Sequence, residues 1–154
     1  MFTQTTEYAL RSMAALALFP EALVPTSMIA ERTKVPSNYL AKVLQQLANA
    51  GLITGRRGVG GGYKLARPAS EINILDIIRA VGRLQRITTC PLGLSNHGPN
   101  LCPLHRRMDE AAASLIERFS GVHLSDLISD PSSMHKPLCD AQTTASLTIN
   151  GAKF

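Results

Sequence analysis

The residues best suited to chemistry in this 154-residue chain are its cysteines and the histidines near them. Cys90 and Cys102 are each followed by Pro-Leu, and His105 comes three residues after Cys102. A spacing of three places Cys102 and His105 on one face of a helix. Pro103 predicts the start of that helix, whose positive dipole end would favour a Cys102 thiolate. This segment therefore predicts metal binding or thiol redox chemistry.

Several kinds of site are compatible with these residues. His97 lies between the two cysteines, so Cys90, His97, Cys102 and His105 would supply four donors for tetrahedral zinc. The same thiolates could hold iron and sulfur, and spacing alone does not choose between these metals. A loop cysteine and a surface histidine without any role are the remaining alternative. An enzyme with Cys102 as nucleophile is disfavoured, because neither an orienting acid nor an oxyanion site accompanies the Cys102 and His105 pair.

Composition and charge restrict the class of protein. Hydrophobic residues make up 45% of the chain and charged residues 18%, which excludes general disorder. The most apolar early stretch, residues 13–19, is too short to cross a bilayer and lacks a basic leader. We therefore expect a soluble, cytoplasmic protein with no membrane partner. The net charge of +5 lies within residues 1–85, with 10 basic and 5 acidic residues against 6 and 6 afterwards, and it suits a polyanionic partner.

The elements that precede the cysteines have the pattern of a helix-turn-helix. Residues 4–19 predict a largely buried helix that ends at Pro20, with an apolar stripe at Leu10, Met13, Ala14 and Ala17. Thr26 is the expected N-cap of a short helix through Thr33, and residues 34–36 predict a turn. Ser37 is the expected N-cap of a longer helix, stopped by Gly51, with an apolar face at Leu40, Val43, Leu44 and Leu47.

The outer face of the longer helix is polar and rich in hydrogen-bonding groups. In a helix-turn-helix the second helix enters the major groove of DNA. An ordinary helical hairpin with a solvated face is the alternative. We expect base contacts from the following side chains: Ser37, Asn38, Tyr39, Lys42 and Gln45.

A glycine-rich hairpin is predicted directly after this helix. Residues 52–54 and 63–65 predict two strands, joined by the sequence Gly-Arg-Arg-Gly-Val-Gly-Gly-Gly. Glycines let the backbone lie close to phosphates while Arg56 and Arg57 make charge-assisted contacts, as the wing of a winged helix would. The spacing of a nucleotide-binding P-loop is absent. Within the hairpin we expect DNA contacts from Arg56, Arg57, Gly60, Gly61 and Tyr63.

The second half of the chain predicts a helix, a long loop and another helix. Asn73 with Asp76 predicts the capped start of a helix that bears Ile74, Ile77, Ile78 and Val81 and is stopped by Gly82. Residues 87–101 show no periodicity and predict a long loop of the kind that carries function. The helix from Pro103 to Ser120 has a stripe suited to pairing two subunits, formed by Leu104, Met108, Ala111, Leu115 and Phe119.

These patterns predict a mostly α fold with a small β-hairpin wing, a winged helix-turn-helix followed by a long dimerisation helix. Residues 1–82 would form the DNA-binding domain, residues 83–102 a sensor loop and residues 103–130 the dimerisation helix region. Residues 131–154, which are rich in Ser, Thr and other polar residues, would form a flexible tail.

Over about residues 1–120 the sequence resembles the Rrf2 family of winged-helix transcriptional regulators, in particular its cluster-sensing repressors of the IscR, NsrR and RirA type. The matching motifs are Thr6-Glu7-Tyr8-Ala9-Leu10-Arg11, Ser37-Asn38-Tyr39-Leu40, residues 47–52, and residues 58–65 with their Gly-Gly-Gly-Tyr wing. The resemblance implies a homodimer that binds double-stranded DNA at a palindromic operator. It also implies a two-iron or four-iron sulfur cluster that senses iron, redox state or nitric oxide.

The resemblance also implies a ligand set. In cluster-binding members three cysteines precede the dimerisation helix, and in the IscR type a ligand histidine follows the last one by three residues. Cys90, Cys102 and His105 match the first, last and histidine positions, whereas the middle position falls on Asn96. The missing ligand would come from His97, from Cys139 or from the partner subunit's Glu7. A zinc switch, a purely thiol-based switch and a regulator without a cluster are the alternatives.

Overall fold

A computed structural model describes residues 3–93 and 100–128 of the chain. In chain order, its elements are α1 (Gln4–Ala17), α2 (Thr26–Thr33), α3 (Ser37–Asn49), β1 (Ile53–Arg56), β2 (Gly62–Leu65), a short 3-10 helix (Ala69–Glu71), α4 (Ile74–Val81), α5 (Pro103–Ser120) and α6 (Leu124–Ile128). The two strands form one hairpin. The predicted fold class, mostly helical with a small β-hairpin wing, is confirmed. None of the helices in the described part of the chain has both the length and the hydropathy needed to cross a bilayer.

Helix α1 lies at the centre of the core and contacts α2, α3, α4, α6 and β2. The Thr3 hydroxyl caps its start by accepting a hydrogen bond from the Thr6 backbone N–H, at 3.2 Å. Residues along much of the helix are fully buried, among them Ala9, Met13 and Leu16. The predicted burial is therefore confirmed, although the helix ends at Ala17, two residues before the predicted end.

The predicted helix-turn-helix is formed by α2 and α3, but the predicted N-caps at Thr26 and Ser37 are wrong. The N-cap residues are Pro25 and Pro36, and neither helix start has a side-chain cap. Both prolines have extended backbones with φ near −60°, an angle that the proline ring imposes. The Pro25 carbonyl accepts from the Ile29 N–H, at 3.1 Å, and the Pro36 carbonyl from Leu40, at 2.9 Å. The prolines therefore begin both helices.

The wing is a hairpin in which β1 and β2 pair antiparallel, from Ile53 opposite Leu65 to Arg56 opposite Gly62. A third segment joins this hairpin. The Val24 N–H donates to the Tyr63 carbonyl at 2.8 Å, and the Tyr63 N–H donates to the Val24 carbonyl at 2.9 Å. This bridge, which the sequence did not predict, attaches the segment before α2 to strand β2 of the wing.

The predicted start and end of α4 are confirmed. The Asn73 side-chain oxygen accepts from the Leu75 N–H at 2.8 Å, and the helix stops at Gly82. The Asn73 amide also donates to the Ser120 carbonyl at 2.6 Å, which links the start of α4 to the end of α5. One side chain therefore caps one helix and joins it to another.

After α5 the chain returns to the N-terminal core. The Ile74 N–H donates to the Val122 carbonyl at 3.0 Å, and the Leu124 N–H donates to the Ile72 carbonyl at 2.9 Å. Leu124, the first residue of α6, is fully buried. We expected residues 103–130 to belong to the dimerisation region, and the structure shows that residues 122–128 pack on the core of the winged helix.

Candidate DNA interface and thiol site

The outer face of α3 is exposed over its whole length. Each predicted base-contacting residue, that is Ser37, Asn38, Tyr39, Lys42 and Gln45, lies on the surface. The helix contains no acidic residue, which suits a surface that faces a polyanion. The Tyr39 ring meets the Tyr8 ring of α1 edge-on, with centroids 6.3 Å apart. Helix α1 therefore contacts the first turn of α3 through this pair of rings.

The tip of the wing carries Arg56 and Arg57, and both side chains are exposed. The turn is closed by a hydrogen bond from the Gly61 N–H to the Gly58 carbonyl, at 2.9 Å. Gly60 has φ +73°, and a Cβ added at Gly61 would lie 2.2 Å from the Arg56 carbonyl oxygen. The turn itself thus requires glycine at both positions. The geometry of the turn is therefore a second reason for these glycines, besides a close approach of the backbone to phosphates.

Tyr63, which we predicted to contact DNA, is half-buried in strand β2 of the wing. A Cβ added at Gly55 would lie 2.8 Å from its ring, so the ring packs directly over Gly55 in the opposite strand. Together with the Val24 bridge, this packing makes Tyr63 a support for the hairpin. A DNA contact by Tyr63 stays a prediction.

The structure brings together three of the predicted sensor residues at the start of α5. Cys102 is the N-cap residue of that helix, and His105 in its first turn is 9% exposed. The distance from Cys102 Sγ to His105 Nδ1 is 3.3 Å, and that from Cys90 Sγ to the same nitrogen is 4.0 Å. Both cysteines are half-buried. We call Cys90, Cys102 and His105 the thiol site.

The other predicted ligands lie elsewhere. Glu7 is exposed on α1, where its carboxylate accepts from Arg11 Nη2 at 2.6 Å. His97 and Cys139 lie outside the described residues. Within residues 3–93 and 100–128, no group of three or more His, Cys, Asp or Glu side chains is arranged to hold a metal ion.

The chemistry of the thiol site still suits a soft metal centre. Thiolate and imidazole groups are the ligands that zinc and iron–sulfur clusters take. His105 Nδ1 faces both sulfurs and is therefore the nitrogen that would bind. The described chain supplies three such donors, one fewer than the usual four. The set therefore fits a metal group in donor chemistry but is incomplete.

Sequence reasoning missed an ion pair one helical turn further along α5. Asp109 accepts from Arg86 Nε and Nη2, both at 2.6 Å, and from the Ile87 backbone N–H at 2.8 Å. The hydrogen bonds from Arg86 and then from Ile87 lower the pKa of the Asp109 carboxyl from 3.8 to about 2. No local pattern in the sequence indicates this pair, because Arg86 and Asp109 are 23 residues apart.

Comparisons with known proteins agree with this geometry. The model of the Rrf2 family, described as iron-dependent transcriptional regulators, matches residues 2–130. A relative from Aquifex aeolicus (strain VF5), named as an inferred HTH-type transcriptional regulator, is 34% identical over 131 residues, which are 83% of this chain and 91% of the relative.

Two solved structures are similar over most of the chain. CymR, the global cysteine regulator of B. subtilis, has a TM-score of 0.67 and 26% identity, covering 84% of this chain and 96% of CymR. IscR of T. potens has a TM-score of 0.69 and 26% identity, covering 88% of this chain and 91% of IscR. The family model, the Aquifex relative and the shared winged-helix fold agree with each other, and this chain belongs to the Rrf2 family of transcriptional regulators.

Proposed function

We propose that the protein is a homodimeric transcriptional regulator that binds double-stranded operator DNA and whose affinity for it is set at the thiol site. The observation that carries the proposal is the convergence of Cys90, Cys102 and His105 at the start of α5, in a chain that exposes a polar α3 face and a basic wing. In this proposal residues 1–82 bind DNA, residues 83–102 form the sensor loop and α5 forms the dimer contact.

DNA binding would divide between α3 and the wing. The side chains of Asn38, Lys42 and Gln45 would contact base edges in the major groove and so set the sequence preference. Arg56 and Arg57 would hold phosphates beside the adjacent minor groove and so contribute affinity for every sequence. Because α3 is fixed to α1 and the wing is fixed to Val24, the two contacts would meet the duplex as one rigid surface.

Pairing of two copies through α5 is supported by the exposure of apolar side chains on that helix. Of its 18 residues only His105 is buried, and Leu104 and Met108 are 65% and 51% exposed. A cavity of about 540 Å³ lies beside the same face, lined by residues that include Ile78, Leu84 and Leu115. Covering such apolar surface is what drives subunit association. Two-fold pairing would also match the chain to a palindromic operator.

The dimer is tested by Met108→Glu. A buried carboxylate at the centre of an apolar interface is strongly unfavourable, so we expect sedimentation velocity to show a monomer where the wild type sediments as a dimer. Glu117→Lys, a charge change at an exposed position of the same helix, should remain dimeric. A dimeric Met108→Glu variant would contradict pairing through this face.

The sensing part of the proposal is an iron–sulfur cluster of two or four irons held by the thiol site. The fourth ligand would be His97, Cys139 or the partner subunit's Glu7. A bound cluster would supply a group whose presence and oxidation state depend on iron, oxidants and nitric oxide. Cys90 and Cys102 lie at the two ends of the loop, so their common attachment would fix that loop against the first turn of α5. A zinc or thiol-only switch is the second candidate, favoured by the 3.3 Å contact of Cys102 with His105.

Anaerobic reconstitution of the full chain with iron and sulfide separates these candidates. We expect visible absorption with bound iron and sulfide, loss of both in Cys90→Ala and Cys102→Ala, and an operator affinity that changes on loading. Zinc without sulfide would support the zinc switch, and affinity that follows oxidation of metal-free protein would support the thiol switch. If the protein binds no metal and its DNA affinity does not respond to oxidation, control at this site is refuted.

A further inference from the structure

The segment between α4 and α5 is attached to α5 at two points one helical turn apart. Arg86 and Ile87 hydrogen-bond to Asp109, and Cys90 lies beside His105. Arg86 contacts Asp109, and Cys90, four residues later in the chain, contacts His105, four residues earlier. The segment and the helix therefore run antiparallel along one face of α5. We call the contacts of Arg86 and Ile87 with Asp109 the clamp.

The clamp differs from an ordinary surface ion pair. Its guanidinium contacts both carboxylate oxygens at 2.6 Å, a bidentate geometry that fixes direction as well as distance. The Asp109 side chain is 13% exposed, and the Ile87 N–H gives it a third donor. Arg107 and Glu110 on the same helix make one contact of 3.0 Å with side chains 83% and 54% exposed. Such exposed pairs contribute little, which makes Glu110 a matched control.

Between the clamp and Cys90 lie Thr88 and Thr89, and both are exposed. The attachment at Asp109 therefore determines where the chain enters the thiol site. All the donors that face the Asp109 carboxylate come from Arg86 and Ile87 in the described part of the chain, so its oxygens are already engaged. Asp109 can therefore affect the thiol site by holding Arg86 and Ile87, and not as a metal ligand.

We propose that Asp109 is a positioning residue of the thiol site, which through Arg86 and Ile87 holds the Cys90 sulfur within reach of Cys102 and His105. The regulatory role of this residue rests on the proposed function, in which the thiol site controls DNA affinity. The position of the Cys90 sulfur itself does not depend on DNA binding.

The test is the rate at which iodoacetamide alkylates each cysteine in the reduced, metal-free full chain, with the sites distinguished by mass spectrometry. Release of the clamp removes one of the attachments of the Cys90 segment, while Cys102 remains fixed as the N-cap residue of α5. We expect Asp109→Asn and Arg86→Gln to raise the ratio of the Cys90 rate to the Cys102 rate about three- to ten-fold. Glu110→Gln should leave the ratio unchanged.

An unchanged ratio in Asp109→Asn and Arg86→Gln would overturn the proposal, as would an equal rise of both rates in folded variants. Circular dichroism identifies a variant that fails to fold. If Asp109→Asn unfolds, Arg86→Gln decides the question, because its side chain is 54% exposed and its loss leaves the Ile87 hydrogen bond in place. The assay contains no DNA, so its failure is distinct from a failure of operator binding in the same proteins.

Discussion

Replacing Gly61 with Ala should damage the wing without touching its arginines. The new Cβ would lie 2.2 Å from the Arg56 carbonyl oxygen and 2.8 Å from that of Gly58. Carbon and oxygen normally approach to about 3.3 Å, so the turn must open by about 1 Å. Overpacking of this kind costs about 1–3 kcal/mol, and the hydrogen bond from Gly61 to Gly58 contributes about 1 kcal/mol. Because the wing can open locally, we expect the free energy of unfolding to fall by about 2 kcal/mol.

Urea unfolding and operator titration measure the two consequences of Gly61→Ala. Displacement of the Arg56 carbonyl also displaces the arginines, so we expect about ten-fold weaker binding to all DNA sequences alike. Gly121→Ala is the control, because Gly121 has φ −98° and no atom within 4 Å of an added Cβ. It should be neutral or slightly stabilising. A Gly61→Ala protein with wild-type stability and affinity would refute the assignment of this glycine to the turn.

Three further predictions concern the framework. Lys34 has φ +57° at the end of α2, so Lys34→Gly should be more stable than Lys34→Ala by about 0.5–1 kcal/mol in urea titrations, and the reverse order would contradict this. Asn73→Ala removes the cap of α4 and the link to Ser120 and should cost about 1–2 kcal/mol by the same assay, whereas a neutral result would argue against the cap. The pKa of Asp109 is lowered from 3.8 to about 2, so its stabilising effect is full above the unfolded pKa and is lost as pH falls through the folded one. The stability difference between wild type and Asp109→Asn should therefore be constant from neutral pH to about pH 4 and shrink below it, and a change near neutral pH would contradict the assignment.

Local patterns were sufficient to predict most helices. The apolar face of α3, formed by Leu40, Val43, Leu44 and Leu47, repeats at helical spacing and is buried as expected. The Asn73 cap and the Pro103 start of α5 follow from one or two residues each, and both are confirmed. These features depend on interactions within a few residues, which a sequence displays directly.

Contacts between distant segments were not predictable in this way. The bridge of Val24 to Tyr63 and the return of Leu124 to the core join residues far apart in the chain, and neither has a local signal. The clamp has the same character, because Arg86 and Asp109 are 23 residues apart and each resembles an ordinary surface charge. The sequence predicted that Cys90 and His105 could belong to one site. The distance between the Cys90 sulfur and the His105 ring, however, depends on how the segment between α4 and α5 folds.

The most direct test of the account is fluorescence titration of genomic DNA fragments with wild type, Arg57→Ala and Lys42→Ala across a range of salt concentrations. We predict that the wild type selects particular fragments and that Arg57→Ala weakens binding to all of them, with a salt slope lower by about one. Lys42→Ala should instead change which fragments are preferred. Absence of binding to any fragment at low salt, or variants indistinguishable from wild type, would contradict DNA binding through α3 and the wing.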